Sequence, residues 1–214
     1  MTFITIGLAV NALLGKMQFV DCHDPILDRT SEPLTLEEIH DPDTQSFLDK
    51  MIRFAKGEQS DQQKHVLVGL AAPQIGHSIR VILVDVGADG KGGVSQLQCY
   101  INPEIIEVSN ETNEWYEGCY STGLVKGIVR RPSQVTIRAL DQQGREIEET
   151  HTGYVARIFQ HEIDHLNGVR FPDRVPEDAV LHIVKAEEMP AYRNSQGWRA
   201  WPKTIAQKDW KKHQ

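Results

Sequence analysis

The chain has few cysteines and no long hydrophobic run, and both shortages exclude whole classes of protein. Its three cysteines, at positions 22, 99 and 119, show no paired spacing, so no disulfide framework is expected and a reducing compartment such as the cytoplasm fits. The apolar stretch 2–15 is too short to span a bilayer and has no basic residue before it. We therefore expect a small N-terminal extension, or a true start at Met17, and no membrane partner.

Basic residues are also fewer than acidic ones, 23 against 30, so the 214 residues carry a net charge of −7. This charge argues against a general nucleic-acid binder. The charge is uneven, however: residues 190–214 hold six basic residues against one acid, Asp209. Four aromatic residues are interleaved with these cations: Tyr192, Trp198, Trp201 and Trp210. This pattern has two interpretations, packing of the rings on the protein or on a second subunit, or contact of the cations and rings with phosphates and exposed bases. The oligomeric state is left open.

Local periodicity predicts an α+β fold. An apolar stripe at helical spacing predicts a helix over 43–57, and Thr152 is placed to cap a second helix that runs through Leu166. Strands are predicted at 79–86, 97–101, 104–108, 135–140 and 146–150. Residues 87–95 are predicted to form a hairpin turn, since no Ser or Thr follows their Gly-Lys pair and a phosphate loop is thereby disfavoured. The expected architecture is a mixed, mostly antiparallel sheet around one central helix.

The most informative stretch is His161-Glu162-Ile163-Asp164-His165. On a helix, positions i and i+4 share a face, so both imidazoles can bind one metal ion, and the neighbouring Glu162 can reach a water there. Glu162 falls within the apolar stripe of this helix, and a buried carboxylate needs a partner such as a metal. The alternative is a helix that carries two surface histidines. The spacing favours metal-assisted hydrolysis.

Several residues are candidates for a third ligand. Cys119 stands out because a thiolate binds divalent metals strongly and a glycine precedes it, although a lone cysteine is also often a small buried hydrophobe. A zinc endopeptidase would instead take its third ligand downstream, from His182, Glu187 or Glu188. A further alternative is a non-catalytic module that only binds a metal.

Three segments then occur in order: GLAAPQIG at 69–76, EGCYS at 117–121 and QHEIDHLNG at 160–168. Together they resemble the peptide deformylases, and the resemblance runs from about Phe19 to Arg174. It implies a metal-dependent hydrolase that removes the N-formyl group from the initiator methionine of nascent peptides. The family fold is a mixed sheet around the metal-bearing helix.

The resemblance divides the chain into three parts. We expect an N-terminal extension at 1–16, a catalytic domain at 17–175, and a helical, basic tail at 176–214. Because a deformylase meets nascent chains at the ribosome, whose surface is rich in phosphate, the tail is the predicted contact with it. The alternative is a catalytically weak, metal-binding paralogue that docks on ribosomes.

The resemblance also assigns roles to single residues. Cys119, His161 and His165 would bind one divalent metal, commonly Fe²⁺, with Zn²⁺, Ni²⁺ and Co²⁺ as alternatives. Glu162 would be the general base and then the acid. The oxyanion would be held by the Gln74 side chain and the backbone N–H of Tyr120. The residues expected to bind the substrate peptide are Val68, Gly69, Glu117 and Gly118.

The chain departs from the family pattern at Leu67, Tyr120 and Gly123, where glycine, leucine and proline are usual. Gly123 is similar to the organelle-type branch and to some bacterial paralogues. The first two departures bear on substrate preference and rate, and they leave the metal ligands and the base intact. Arg131, which matches a family position, is expected either to pair with Asp164 or to be an independent surface charge.

Overall fold

The computed structural model describes residues 17–58, 67–90 and 95–213. Its α-helices are α1 (Leu36–His40), α2 (Pro42–Ala55), α3 (Gly153–Leu166) and α4 (Met189–Arg193). Its strands are β1 (Gly69–Ala71), β2 (Val81–Asp85), β3 (Leu97–Val108), β4 (Thr112–Gly118), β5 (Val125–Pro132), β6 (Gln134–Leu140), β7 (Glu146–Thr152), β8 (Val180–Ile183) and β9 (Thr204–Ala206). Short 3₁₀ turns join several of them.

The strands form two sheets, in the order β1-β2-β3-β6-β7 and the order β4-β5-β8-β9. Neighbouring strands in both sheets are antiparallel. The predicted α+β class is confirmed, and the difference is that the strands divide into two sheets. Strands β1 and β4 are edge strands of different sheets, so each has one side open for pairing.

Helix α3 lies between the two sheets, in contact with β1 and β2 on one side and with β5 on the other. All five residues of strand β2 are buried. Since successive side chains of a strand point to opposite faces, β2 is covered on both faces. Leu83 joins the apolar cluster with α2, whereas Ile82 joins the cluster with α3. This double burial fixes the height of α3 over the sheet, and therefore the height of every side chain it carries.

The two main helices have the predicted places and slightly different ends. Helix α2 is capped by Asp41, whose carboxylate accepts the Asp43 N–H at 2.8 Å, and the chain leaves it through Gly57 at φ 68°. Thr152 holds the N-cap position of α3, but among the described residues its side chain receives no capping hydrogen bond. The chain leaves α3 at Gly168, with φ 69°, where a Cβ would lie 2.7 Å from the backbone of Asp28.

Two aspects of the strand prediction need correction. The separate strands predicted at 97–101 and 104–108 are one strand, β3, whose register shifts between Ile101 and Glu104. The strands β1, β4, β5, β8 and β9 were not predicted. Strand β5 alternates buried and less buried positions, but two of its buried positions are Gly127 and Arg131, which hide the hydrophobic period.

The segment 176–214 contains strands β8 and β9 as well as short helices, so it differs from a purely helical tail. Tyr192, Trp198 and Trp210 are buried, which supports the packing interpretation of the aromatic residues. The predicted extension at 1–16 lies outside the described residues. Within the ranges described, no helix has the length and apolar character needed to cross a bilayer.

A buried ion pair connects β5 to α3. The guanidinium of Arg131 donates to Asp164 Oδ2 at 2.9 Å, and both side chains are almost fully buried. Asp164 also accepts a hydrogen bond from Arg174 Nε at 3.1 Å. The predicted pairing of Arg131 with Asp164 is therefore confirmed, and the two residues are not independent surface charges.

The Arg131–Asp164 pair should couple strongly in a double-mutant cycle. We expect Arg131→Ala and Asp164→Ala to be non-additive in the free energy of unfolding, with a coupling on the order of 1–3 kcal/mol, because each single change removes a buried charged partner and leaves Asp164 with Arg174 alone or Arg131 with Glu117 alone. Chemical denaturation measures this. The matched control is the Arg138–Glu148 pair, with exposures of 57% and 58%, for which a coupling below about 1 kcal/mol is expected. Equal coupling in the two pairs would contradict the assignment.

The C-terminal aromatic residues should act as core residues. Trp198 is 1% exposed, so Trp198→Ala should lower the free energy of unfolding by about 3–5 kcal/mol, the usual cost of emptying such a site. Val108→Ala, at a side chain 52% exposed, is the control and should change it little. A Trp198→Ala protein as stable as the parent would favour the alternative in which the rings are free to stack on RNA.

Candidate active site

Two sequence-distant segments meet beside α3. Cys119 follows the last residue of β4, and His161, Glu162 and His165 lie on α3. Glu117 and Cys119 are two residues apart in extended backbone, so their side chains leave the chain on the same face, toward the helix. The E-G-C spacing therefore delivers a carboxylate and a thiol to the same two histidines.

The three predicted metal ligands are brought together. Cys119 Sγ lies 3.3 Å from His165 Nε2, and one ligand atom from each of Cys119, His161 and His165 lies within 4.8 Å of the others. The two imidazole rings have centroids 5.0 Å apart. A soft thiolate and two imidazoles at this spacing form a donor set suited to a divalent transition metal.

The ionisation of these groups supports the same conclusion. Burial raises the pKa of the Cys119 thiol, but the charge of His165 and hydrogen bonds from both histidines bring that pKa well below its ordinary value. Burial lowers the pKa of His161, but its hydrogen bonds to Cys119 and Glu117 raise it well above the usual value. Both shifts show that a positive charge beside the Cys119 sulfur is favourable. A divalent cation can supply that charge in place of the proton on His161.

Glu117 orients His161. Its Oε2 accepts a hydrogen bond from His161 Nδ1 at 2.9 Å, which leaves Nε2 of that ring for the thiol cluster. The same carboxylate accepts from Arg131 at 2.7 Å and from Arg157 at 2.6 Å. Burial alone would raise the pKa of Glu117, but the bonds to Arg131 and His161 lower it below the usual range. Arg157 was missed from the sequence, although it stands one helical turn before His161.

Glu162 is buried beside this cluster, and one oxygen of its carboxylate is left for a ligand. Its Oε2 has no hydrogen-bond partner among the described residues, and burial raises its pKa to about 7. Gly69 of β1 packs against it: a Cβ at that position would overlap Glu162 Oε1 and lie 2.8 Å from Ile158 Cγ2. The glycine is therefore required by close approach. A neutral-range pKa suits a group that both takes and returns a proton.

Gln74 completes the wall of the site. Its Oε1 accepts the Ala71 N–H at 2.8 Å, which fixes the orientation of the amide. Its Nε2 donates to Cys119 Sγ at 3.1 Å and to Ser121 Oγ at 3.2 Å. The amide donor therefore points into the thiol cluster.

Tyr120 follows the cysteine and begins a 3₁₀ turn. Its ring stacks on Phe19 with centroids 4.5 Å apart, at an interplanar angle of 11°. The residue that replaces the usual leucine is therefore held against the start of the described chain. Leu67, a second departure, is 8% exposed and also lines the site.

A cavity of 390 Å³ contains these groups. The two edge strands form its walls, with Val68 and Gly69 on the β1 side and Gly118 on the β4 side. Glu117 also lines it, but the carboxylate of Glu117 bonds to the buried arginines and to His161, so only its backbone is available to a ligand. An extended peptide can pair with strand edges on both sides of this cavity.

The endopeptidase alternative finds no support in the described residues. His182 is buried and its Nδ1 bonds to Tyr192 Oη at 2.9 Å, while Glu188 pairs with Lys203. Neither joins His161 and His165. A second group, at residues 21–23, also brings an acid, a cysteine and a histidine together, but its members are consecutive and mostly exposed.

Comparison with known proteins agrees with this geometry. The polypeptide deformylase family matches residues 16–180. A peptide deformylase of Natranaerobius thermophilus is 40% identical over 154 residues, 72% of this chain and 88% of that protein. Peptide deformylase 3 of Streptomyces avermitilis is 34% identical over 191 residues, 85% of this chain and 80% of that protein.

A solved structure extends the agreement to the fold. The class I type b peptide deformylase of Acinetobacter baumannii with Met-Ala-Ser bound has a TM-score of 0.67 at 30% identity, over 75% of this chain and 99% of that one. The peptide deformylase of Thermotoga maritima has a TM-score of 0.63 at 33% identity, over 76% of this chain and 99% of that one. The chain therefore belongs to the polypeptide deformylase family, hydrolases that remove the N-formyl group from newly made proteins.

Proposed function

We propose that this site deformylates N-formyl-methionyl peptides with Cys119, His161 and His165 as the ligands of one divalent metal ion and Glu162 as the proton carrier. The observation that carries the proposal is the meeting of a thiol, two imidazoles and the buried carboxylate of Glu162, whose Oε2 has no hydrogen-bond partner within the described part of the chain. Cys119, His161 and Glu162 line a cavity that has strand edges for walls. The metal-dependent character is that of the family; the ligand assignment to these residues is the proposal.

The residues fit a transition metal by their chemistry. A thiolate and neutral imidazoles accept Fe²⁺, Zn²⁺, Ni²⁺ and Co²⁺, and we propose Fe²⁺ in the cell on the resemblance to the family. When bound, the ion supplies Lewis acidity that polarises the formyl group and makes water more acidic. The hydrogen bond from His161 Nδ1 to Glu117 would keep that ring in the tautomer whose Nε2 is free to bind the ion.

Glu162 carries the proton through the reaction. Burial raises its pKa to about 7, which suits a group that accepts a proton from the attacking water and returns it to the leaving amine. Water adds its oxygen to the formyl carbon, the C–N bond breaks, and formate departs. Gly69 allows the carboxylate to stand beside the substrate backbone, because a side chain there would occupy its place.

Gln74 and Tyr120 stabilise the charge that develops on the formyl oxygen. The Gln74 amide is held by Ala71 and directs Nε2 toward Cys119, where the formyl group would lie. The backbone N–H of Tyr120, next to the thiol, is the second proposed donor. Losing one such donor typically costs about 10²–10³ in rate.

The substrate would lie as a strand between β1 and β4. Val68 and Gly69 on one side and the backbone of Glu117 and Gly118 on the other would pair with an extended peptide. The relative from Acinetobacter baumannii binds Met-Ala-Ser, which supports a short peptide in this cleft. Leu67 and Tyr120 would shape the space near the methionine.

We place the reaction where nascent chains are made, in the cytoplasm. Contact with the ribosome through the C-terminal residues stays a prediction. Because three of the four aromatic rings are buried, the basic side chains are the candidates for that contact. Tyr192, Trp198 and Trp210 are buried, and the exposed side chains of Lys211 and Lys212 pair with Asp28 and Asp209, so a phosphate would have to replace these carboxylates.

Metal content should identify the ligands. Cys119→Ala, His161→Ala and His165→Ala should each lose most of the bound metal, because a site with three protein ligands keeps little affinity with two. Elemental analysis after anaerobic purification measures this. Cys22→Ala is the control, since its thiol belongs to the second, exposed group, and it should keep full occupancy. Full metal and activity in Cys119→Ala would sink the ligand assignment.

Glu162 should separate chemistry from binding. Glu162→Gln, or Glu162→Ala, should retain metal and fold but lose at least about 10²-fold in kcat for formate release, the scale of a positioned general base. Glu187→Gln, an exposed carboxylate, is the control and should keep the parent rate. Near-parental turnover by a metal-loaded Glu162→Gln protein would show that another group moves the proton.

A further inference from the structure

The cavity continues beyond the thiol cluster along β4. Its far part is lined by Trp115, Tyr116, Tyr154 and Arg193. Arg193 is the last residue of α4 and lies past residue 180, where the match to the family ends. The C-terminal segment of this chain therefore supplies one wall of the cleft.

Arg193 is held in this place by its neighbour in sequence. Tyr192 is completely buried, its hydroxyl is 2.9 Å from His182 Nδ1, and its ring lies edge-on to Tyr116 with centroids 5.3 Å apart. Trp201 packs on the other side of Tyr192 at 5.2 Å. Because Tyr116 belongs to β4, this contact fixes the end of α4 against the strand that forms the cleft wall.

The charge of Arg193 is exposed and available. In the part of the chain that the structure describes, Arg193 forms no ion pair, in contrast to Arg157, which also lines the cavity and is paired with Glu117. The pKa of Lys126 is lowered mainly by burial and further by the charge of Arg193. Lys126 donates to the carbonyl groups of Gly123 and Val125. Asp89 is an acidic side chain in the same lining, and it has a contact of its own.

The register along β4 indicates which substrate residue would meet this charge. Tyr116 precedes Cys119 by three residues, a distance of about 10 Å along a strand at ~3.3 Å per residue. A formyl group at Cys119 and an extended peptide beside β4 place the third residue of the peptide level with Tyr116. Arg193 lines the cavity together with Tyr116, and its neighbour Tyr192 contacts the Tyr116 ring, so its guanidinium belongs to the part of the cleft where that third residue would lie.

We propose that Arg193 is a specificity-determining residue that favours an acidic side chain at the third position of the nascent chain. The inference rests on the proposed function, because the direction of the peptide follows from the formyl group lying at Cys119. The chemistry is that of an exposed guanidinium–carboxylate pair, so the preference is moderate and sensitive to salt.

The test compares formyl-Met-Ala-Glu-amide with formyl-Met-Ala-Gln-amide, in which the amide end removes the terminal carboxylate. We expect kcat/KM to be about two- to fivefold higher for the Glu peptide at low ionic strength and the difference to shrink in salt. Arg193→Gln should reduce the ratio to about one, and Arg193→Lys should keep part of it. The control is Arg199→Gln, which removes the same charge from a residue that stacks on Trp198 outside the cavity lining.

A binding measurement keeps the inference separate from turnover. Calorimetry with Met-Ala-Glu-amide and Met-Ala-Gln-amide on the metal-loaded protein should show the same preference and its loss in Arg193→Gln. Normal formate release with equal kcat/KM for the two peptides, or a ratio that survives Arg193→Gln, overturns the role of Arg193 alone. A Glu preference in binding without formate release from either peptide would overturn the proposed function and leave the role of Arg193 standing.

Discussion

The buried carboxylate of Glu117 is the interaction on which the geometry of the site depends. It accepts hydrogen bonds from Arg131 on β5 and from Arg157 and His161 on α3. A single side chain of β4 thereby joins its own sheet to the central helix. Burying four ionisable groups is unfavourable unless each finds its partners, and removing one partner from such a group typically costs about 3–5 kcal/mol. The network thus adds little to the free energy of unfolding, but it holds β4, β5 and α3 in fixed positions relative to one another.

The Glu117 network positions the metal-binding side chains because its members lie only one or two residues from them in the sequence. Two residues after Glu117, the same face of the chain presents Cys119 to His165, so the thiol and the first histidine are positioned by the same strand. Arg131 donates hydrogen bonds both to Glu117 and to Asp164, and Asp164 stands one residue before His165. Both histidines of α3 are therefore held at their flanks by buried charges. A small rotation of the helix would have to break several charge-assisted hydrogen bonds at once.

Much of this arrangement could be predicted from the sequence, where a local pattern carries it. The H-E-x-x-H spacing places two imidazoles on one helix face without knowledge of any other residue, and the double-sided burial of β2 appears as a continuous apolar run. Strands β4 and β5 could not be predicted, because their buried positions include Glu117, Gly127 and Arg131, which look like surface or turn residues until their partners are known. Pairing of β5 with β8 joins residues more than fifty positions apart, which no local period encodes.

The same reasoning explains the basic, aromatic C-terminal segment, whose composition resembles a nucleic-acid contact but whose rings pack on the protein. The Arg170 guanidinium lies 4.6 Å from the centre of the Trp210 ring, and its Nη1 donates to the Ser121 carbonyl at 3.1 Å. Ser121 is two residues from Cys119, so the tryptophan covers a cation that anchors the loop carrying the thiol. Tyr192 and Trp198 contact the Tyr116 ring of β4 directly, ring against ring. A segment that alternates aromatic and basic residues can supply both kinds of contact, since each ring needs burial and each cation needs a π face or an oxygen atom. The C-terminal segment thus supports β4 and the turn after it, the two places from which Glu117 and Cys119 reach the site.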